Sequence, residues 1–327
     1  MTNRRYFATG SETAFGIPSG TWDHWYRTLT DSLRDDQQHI YPDDTERADA
    51  VTSIPGPYKI TGDVGGYAEP YYFGFILEHA LGKWAASTAH GADVFTHSIV
   101  TTESDIEYFC AEKGLQAINR AIRYAGIKEE NLRLESRMGQ PLMWTATLRA
   151  FKDSLIAQIA DATVETGYDS VLNPFMHHEL VLQHGAQALS VQSFQLNIRN
   201  KLADAYFTSR FSNEWMFEGR EVSGTVVFKN EIAGMIQRFL REGGYNSPGV
   251  TTTPYSLTAT YTTAYPIAAG HYGVLKIYCP RIDLNSADFP GRGRETETVE
   301  LPFKALYDRT VNYAIVATIK TTHGKPL

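Results

Sequence analysis

The sequence predicts a mainly β protein, a β-rich α+β fold. We expect two similar antiparallel β-sandwich or barrel domains, each with one packed helix, and an N-terminal arm. Strand-like runs are numerous, and most alternate between apolar and polar residues, as antiparallel sheets with one wet face do. Each half of the chain contains one stretch with the helical spacing of apolar residues. Several stretches of the first half also recur in the same order in the second half, which is typical of repeated domains.

The internal repeat is visible in four pairs of stretches, at offsets of about 150 to 162 residues. The stretches of the first half are residues 60–64, 72–82, 125–127 and 148–153, and their counterparts are residues 222–226, 232–240, 279–282 and 301–308. In both halves a strand-like stretch leads into a helical one. Repeated domains in one chain indicate pseudosymmetry, and pseudosymmetry favours a role in assembly over one in catalysis.

Length and composition agree with two folded domains. A chain of 327 residues corresponds to about two domains, and 43% hydrophobic with 20% charged residues is ordinary for a folded protein. We expect an arm at residues 1–50, a first domain at 51–160 and a second domain at 161–327. No apolar run reaches the roughly 20 residues of a membrane span, and no signal peptide opens the sequence, so we expect folding in the cytoplasm.

The first 50 residues follow no strand or helix period, yet they are rich in aromatic residues. Phe7, Phe15, Trp22, Trp25 and Tyr26 are interspersed with glycine, proline and acidic residues. Aromatic side chains are enriched in protein interfaces, so we expect an arm that docks on a neighbouring subunit. An ordered segment that lies on its own domain is the alternative.

The pattern of apolar residues predicts one helix in each half and many strands. Apolar residues at i, i+3, i+4 and i+7 predict a helix at residues 71–81, and Gly82 is suited to end it. A second helix is predicted at residues 232–240. Alternation predicts strands at residues 57–64, 94–101, 106–110, 131–136, 141–151, 189–200, 222–228, 256–265, 274–279, 296–301 and 312–321.

The sequence predicts neither an enzyme nor a cofactor or metal site. Cys110 and Cys279 have no metal or disulfide spacing and are expected to be buried thiols. His177 and His178 are interpreted as neighbours on a strand, which would point them to opposite faces. No phosphate-binding glycine loop and no nucleophile elbow occur. The net charge of −7 and the scattered basic residues also disfavour binding to nucleic acid.

Polar strand faces rich in threonine are predicted in the second half. They contain Thr258, Thr260 and Thr262, then Thr296, Thr298 and Glu300, then Thr318, Lys320 and Thr322. Threonine forms strands well and tolerates water. Two interpretations stay open, namely a face in contact with solvent and a face that lines a water-filled lumen.

Five diffuse motifs follow one another along most of the chain. They are a Glu-x-x-Phe-Gly opening at residues 12–16, a strand and glycine-ended helix at 60–82, a Tyr-x-Gly strand at 124–135, a strand that ends in Asn with a Gly-Arg-x-Val-x-Gly hairpin at 194–224, and a closing stretch at 303–308. In this order they resemble the tail tube (major tail) proteins of long, non-contractile bacteriophage tails, of the type with a duplicated tube domain.

This resemblance implies a structural virion protein of a siphovirus that polymerises as stacked rings into a hollow tail tube. Single-domain tube proteins close a ring of six, so a duplicated chain would form a homotrimeric, pseudo-hexameric ring. Double-stranded DNA would pass through the lumen during ejection without specific binding. The implied protein partners are further copies of the chain and the tail terminator, tape measure and distal tail proteins.

The resemblance also implies where contacts would lie. The N-terminal arm, together with the segment Trp22–Ala50 as an inter-ring loop, would bridge adjacent rings, with interface residues Phe7, Glu12, Phe15, Trp22, Trp25 and Tyr26. Each basic side chain that pairs with a phosphate adds affinity for DNA, so we expect a lumen that is poor in Lys and Arg and net negative. The alternatives are an inner tube or baseplate ring protein of a contractile injection system, and a β-sandwich carbohydrate-binding module.

Overall fold

The fold is mainly β, as predicted, and every strand pairing described is antiparallel. The computed structural model describes residues 5–20, 22, 24–41, 53–91, 93–101, 105–115, 120–157, 172–185, 187–205, 214–229, 255–284 and 298–322. One α-helix lies within these ranges. The second predicted helix, at residues 232–240, lies outside them.

Within the described residues, strands make up most of both halves of the chain. The first half contains β1 Arg5–Gly10, β2 Glu12–Ala14, β3 Ile17–Pro18, β4 His24–Tyr26, β5 Thr28–Asp31, β6 Arg34–Ile40, β7 Ile54–Tyr67, α1 Phe73–Leu81, β8 Gly82–Ala89, β9 Phe95–Thr101, β10 Phe109–Leu115, β11 Arg120–Arg137, β12 Met143–Ala150 and β13 Lys152–Ala157. The second half contains the 3-10 helix η1 His177–Glu179, β14 Val181–His184, β15 Gln187–Leu189, β16 Val191–Ala205, β17 Glu214–Lys229, β18 Tyr255–Ala268, β19 His271–Leu284, β20 Thr298–Ala305 and β21 Val316–Thr321.

One sheet runs through both halves, and we call it the through-sheet. Its strands lie in the order β6, β7, β12, C-terminal half of β11, β16, β17, β20 and end of β19. Two further sets of strands cover one of its faces. The first cover sheet contains β4, β1, β10, the N-terminal half of β11 and β13, and the second contains β15, β14, β18, the N-terminal half of β19, β21, β9 and β8.

Strand β11 belongs to both layers of the first half because it bends near Gly126. Residues 120–127 pair with β10 and β13, whereas residues 128–137 pair with β12 and β16. Gly126 has a φ of +64°, which side chains other than glycine rarely adopt. A Cβ atom at this position would lie 2.8 Å from Cβ of Phe151. The bend carries the chain from the cover sheet into the through-sheet.

Helix α1 lies in the core and packs against β8, β9, β11 and β16. All nine of its residues are buried, so it is covered on every side and not only on the predicted apolar face. Gly82 ends the helix in the left-handed conformation and donates its N–H to the carbonyl oxygen of Glu78. The predicted helix and its glycine stop are therefore confirmed, with a start at Phe73.

β1, β4, β5 and β6 of the first 50 residues pair with other strands of the chain, as in the alternative of an ordered segment on its own domain, and a contact of this segment with a neighbouring subunit stays a prediction. β1 pairs with β10 and β4, and β5 and β6 pair with β7. Residues 6–10 of β1 are all buried. A strand that is buried on both faces has no alternating pattern, which is why β1 was not predicted as a strand.

The two adjacent histidines lie in η1 and not on a strand, which corrects the earlier interpretation. Nδ1 of His177 lies 2.8 Å from Oγ of Ser136, and its Nε2 lies 3.1 Å from the carbonyl oxygen of Val191. His178 is exposed over 67% of its side chain. The two rings thus occupy different environments, and His177 serves to tie η1 to β11 and β16.

The pairing of β7 with β12 recurs, in the same register, in the pairing of β17 with β20. The pairs of the first half include Ile60↔Ala150, Gly62↔Leu148 and Val64↔Ala146, and those of the second half include Val222↔Ala305, Gly224↔Phe303 and Val226↔Leu301. All of these residues except Ala146 belong to the stretches that the sequence repeat matched.

Candidate assembly surfaces

The two halves of the chain meet at a seam in the through-sheet. β11 and β16 pair over seven residue pairs, from Asn131↔Arg199 to Arg137↔Ser193. A sheet edge that is paired in this way no longer offers its N–H and C=O groups to other chains. The seam therefore makes one continuous sheet out of strands from both halves.

Asn200 fixes the seam from inside the core. Its side-chain Nδ2 donates to the carbonyl oxygens of Ala80 and Glu129, at 3.1 and 3.0 Å. Its Oδ1 accepts a hydrogen bond from Nε of Arg220 at 2.8 Å. Asn200 is completely buried, and an unpaired amide there would be costly. One side chain thus connects helix α1, β11 and β17.

Ion pairs bridge the halves on the opposite, polar face of the seam. The carboxylate of Asp204 accepts from Nζ of Lys59 at 3.2 Å and from Arg149 at 2.9 Å. Arg149 also donates to Glu130 at 2.6 Å. These side chains are partly exposed, so each pair contributes less than about 1 kcal/mol. Their role is to fix the register of the two halves as a connected network.

The far end of the β16–β17 hairpin packs on the first half of the chain. Leu202 and Trp215 are buried in a cluster with Ile106, against which Phe15 and Phe151 also pack. The Nζ of Lys128, itself only 1% exposed, donates to the carbonyl oxygen of Trp215 at 3.1 Å and to the carboxylate of Asp105. The hairpin therefore contacts the first half through the pairing of β16 with β11, through Leu202 and Trp215, and through the buried cation of Lys128.

β6, the first strand of the through-sheet, is exposed where the β16–β17 hairpin is packed against other parts of the chain. All seven residues of β6 are exposed, and within the described ranges β6 pairs only with β7. Ile40, Tyr41 and Ile54 at the end of the β6–β7 hairpin are exposed over 53%, 63% and 50% of their surface. β6 is thus an open sheet edge with apolar residues at one end.

Three of the predicted interface residues lie in the interior of the chain. Phe7, Trp25 and Tyr26 are 1%, 6% and 5% exposed. The ring of Tyr26 lies near those of Phe7 and Trp144. Phe7 and Tyr26 belong to the main core between the sheets, whereas Trp25 packs in a separate cluster with Tyr6, Ala8 and Ala121. All three therefore leave almost no surface for a neighbouring subunit.

The other three predicted interface residues are partly exposed and also have partners within the chain. The carboxylate of Glu12 accepts the backbone N–H groups of Gly16 and Gly126, at 2.7 and 2.5 Å, and burial raises its pKa. Phe15 contacts Phe151 and Trp215. The guanidinium of Arg123 lies 5.1 Å from the ring of Trp22. A ring contact through their exposed parts stays a prediction.

The threonine-rich stretches do not form one face. Thr258 and Thr260 lie on β18, and Thr260 is aligned through Lys276 of β19 with Thr318 of β21, in the second cover sheet. Thr298 and Glu300 lie on β20 of the through-sheet. Thr296 lies outside the described residues. The polar face of the through-sheet is therefore distinct from that of the cover sheet.

The described residues contain no group of three or more His, Cys, Asp or Glu side chains arranged to hold a metal ion. Burial raises the pKa of the Cys110 and Cys279 thiols to about 12, so the reactive thiolate is suppressed. A cleft of about 180 Å³ beside Arg149 and Asp204 is smaller than usual ligand sites. The described part of the chain has no helix with the length and apolar character of a membrane span.

The carbohydrate-binding alternative would need exposed aromatic rings, for which Trp22, Trp25, Tyr26, Tyr71, Tyr72 and Trp84 were the candidates in the sequence. Trp25, Tyr26 and Trp84 are buried, and Trp22 and Tyr72 are partly buried against other side chains of the chain.

The sequence singled out none of the seam residues as functional. Its one signal was the strand that ends in Asn200, which the motif at 194–224 contains.

The chain is thus a mainly β protein with one sheet that contains strands of both halves and has an open edge at β6. The family model of the phage tail tube protein matches residues 2–305, so the chain belongs to the phage tail tube protein family. A comparison with curated proteins finds no match to the chain. Membership identifies a structural component of the virion tail that assembles with copies of itself into a tube.

Proposed function

We propose that the chain is the repeating unit of the tail tube of a siphovirus, that is, of a long, non-contractile tail. Three chains close a ring, each with two similar tube domains, and stacked rings enclose the lumen through which genomic DNA is ejected. The observation that carries the proposal is the recurrence of strand pairing, in equal register, in the two halves.

Irregularities of the sheets recur together with the regular pairs, which supports a duplicated domain. The β10–β11 register shifts between Phe109 and Ala111, and the β18–β19 register shifts between Tyr255 and Leu257. A shift after Gln37 in the β6–β7 pair likewise has a counterpart after Lys201 in the β16–β17 pair. β-bulges are specific features of a fold, so shifts at equivalent places favour a common ancestral unit over similar patterning.

The registers also support domain boundaries that differ from the predicted ones. β14 pairs with β15 and β18 in the same way as β1 pairs with β4 and β10. The matched pairs include Thr9↔His24 and Thr9↔Ala111 in the first half, and His184↔Gln187 and His184↔Leu257 in the second. We assign residues 5–157 to the first tube domain and residues 181–321 to the second, with the strands of residues 1–50 inside the first domain.

Ring closure is the expected consequence of two equivalent domains in one chain. The contact between the first and second domain inside a chain can be repeated between the second domain of one chain and the first domain of the next. Such head-to-tail contacts form a closed ring when the rotation between units closes. The number of six domains, and hence three chains, comes from the resemblance to single-domain tube proteins.

The polar face of the through-sheet is the proposed wall of the lumen, because the core and the cover sheets occupy its other face. It contains more basic residues than expected, among them Lys59, Arg149 and Lys304. Each of these three binds a carboxylate, and Lys304 contacts Glu221 at 2.7 Å. Mutual neutralisation, and not an absence of Lys and Arg, would keep such a wall from retaining phosphates.

Tail terminator, tape measure and distal tail proteins are the proposed partners at the ends and inside the tube, and assembly takes place in the host cytoplasm. Electron microscopy of the purified protein at high concentration, with class averages along the axis, tests the function. Hollow rings or tubes with three-fold symmetry and a six-fold appearance support it. Rings with true six-fold symmetry at six chains, or a monomer that binds glycans in a screen, would contradict it.

A further inference from the structure

The β6–β7 hairpin of the first half is the counterpart of the β16–β17 hairpin of the second. Gln37 pairs with Tyr58 as Asn200 pairs with Arg220, and after the shift His39 pairs with Pro55 as Leu202 pairs with Phe217. Gln37 therefore stands where Asn200 stands in the second half. Both residues carry a side-chain amide, and Gln37 is one methylene longer.

The surroundings of the two hairpins differ sharply. β16 has β11 along its outer edge, and Asn200 is completely buried. β6 has no partner along that edge within the described ranges, and Gln37 is exposed. A strand with an open edge is prone to pair with another chain. The exposed amide of Gln37 lacks the carbonyl groups that Asn200 binds.

The end of β19 lies at the opposite end of the through-sheet, and among the described residues no strand lies along its outer side. Asp283↔Lys304 and Leu284↔Phe303 are the counterparts of Lys128↔Arg149 and Glu129↔Leu148. Leu284 thus corresponds to Glu129, whose carbonyl oxygen accepts the hydrogen bond of Asn200. The described end of β19 at Asp283 and Leu284 pairs only with β20.

From these matched edges we propose that β6 of one chain docks beside the end of β19 of a second copy, and that Gln37 donates its amide hydrogen to the carbonyl oxygen of Leu284 there. The occupant is a second copy because the two edges lie at opposite ends of one sheet. The inference rests on the proposed function, and it deepens that function by naming the contact. Residues 286–292, the counterparts of 131–137, lie outside the described residues, so the proposal concerns only the contact of Gln37 with Leu284.

The cover sheets give independent support for a second copy of the chain beside the first half. β21 is covered along its outer edge by β9 of the first half, and Ala317 is completely buried. β13 pairs with β11 as β21 pairs with β19, so that Leu155↔Ile122 corresponds to Ala317↔Ile277. Leu155 is 64% exposed. The two exposed edges of the first half lie on β6 and β13. Their counterparts in the second half, on β16 and β21, are each covered by a strand of the first half.

Substitution of Gln37 tests the contact in the full-length chain. Gln37→Leu should raise the protein concentration needed for ring or tube assembly about tenfold, measured by sedimentation velocity. Gln37→Asn, which places the side chain of Asn200 at this position, should assemble like the wild type. Gln38→Leu is the matched control, because Gln38 points to the other face of β6, and its threshold should stay unchanged.

These variants separate the contact from the proposed function. If the wild type forms three-fold rings and Gln37→Leu assembles at the wild-type concentration, the contact is wrong while the function stands. If the wild type forms no ring, even with an added tail initiator complex, the proposed function fails first. Equal thermal unfolding of the variants as monomers excludes misfolding as the cause.

Photo-crosslinking gives a second readout. A benzophenone amino acid at position 37 should link to residues 282–284 or 305–307 of another chain in assembled material, and give multimers on a denaturing gel. The same group at position 199 should link within one chain to β11. A crosslink from position 37 to any other element would overturn the proposal.

Discussion

The buried carboxyl group of Glu129 leads to a sharp prediction for the stability of the protein. The residue is completely buried, and neither of its carboxylate oxygens has a hydrogen-bond partner among the described residues. Burial raises its pKa well above the ordinary value because the charged form is poorly solvated. The counterpart in the second half is the partly buried Leu284, and leucine is close to glutamate in size without carrying a charge. We expect Glu129→Leu to stabilise the folded monomer at pH 8.

The sign and size of the expected change in the free energy of unfolding follow from proton linkage. The native state keeps a proton that the unfolded chain releases above pH ~4.5, so the free energy of unfolding falls as the pH rises towards the native pKa of Glu129. The slope is about 1.4 kcal/mol per pH unit. Burial lowers the pKa of His79 to about 4, which gives the opposite slope between pH 4 and 6.5. The difference between variant and wild type isolates Glu129.

Urea unfolding of the monomer at pH 5, 6, 7 and 8, followed by tryptophan fluorescence, measures this difference. The free energy of unfolding of Glu129→Leu, relative to that of the wild type, should increase at each step of rising pH until the native pKa of Glu129 is passed. Glu129→Gln is the matched control: it should lose the same pH dependence but remain less stable than the leucine variant, since its buried amide lacks partners. A leucine variant that is less stable than the wild type at pH 8, or a gain independent of pH, would refute the reasoning.

Three further predictions concern the seam, the bend and the thiols. Asn200→Ala should cost about 2–4 kcal/mol of unfolding free energy, because it leaves buried groups unpaired, whereas Asn197→Ala on the polar face should cost less than about 0.5; equal losses in urea titrations would contradict this. Gly126→Ala should lower the melting temperature clearly more than Gly139→Ala, because both have positive φ but only Gly126 is crowded. Cys110 and Cys279 should resist alkylation at pH 8 in the native protein and react in urea, and labelling of either in the native state would count against their burial.

The elements that the sequence predicted well are those whose pattern reflects one buried face. Residues 131–136 of β11 alternate because the polar face of the through-sheet is wet there. The preceding residues 120–130 of the same strand are mostly buried, so their composition shows no period, and the sequence predicted only part of an 18-residue strand. The same physical reason hid β1. Helix α1 was found because its spacing and its Gly82 stop are local signals.

The seam could not be predicted from the sequence because strand partners are chosen by tertiary packing. Nothing in the polar pattern of β16 indicates that β11 lies beside it, and Asp204 meets Lys59 and Arg149 only after the two halves have docked. The β8–β9 hairpin was missed in part because most of β8 is exposed, which leaves little apolar alternation. The matched stretches of the repeat, by contrast, do occupy equal registers in β7–β12 and β17–β20.

A cryo-electron microscopy reconstruction of assembled tubes at residue resolution, calculated without imposed six-fold symmetry, tests the central claim most directly. We expect three chains in each ring and, between chains, a contact of Gln37 of β6 with Leu284 of β19 that superimposes on the contact of Asn200 with Glu129 inside one chain. Chains joined through other strands, with β6 left open at the ring surface, would contradict it.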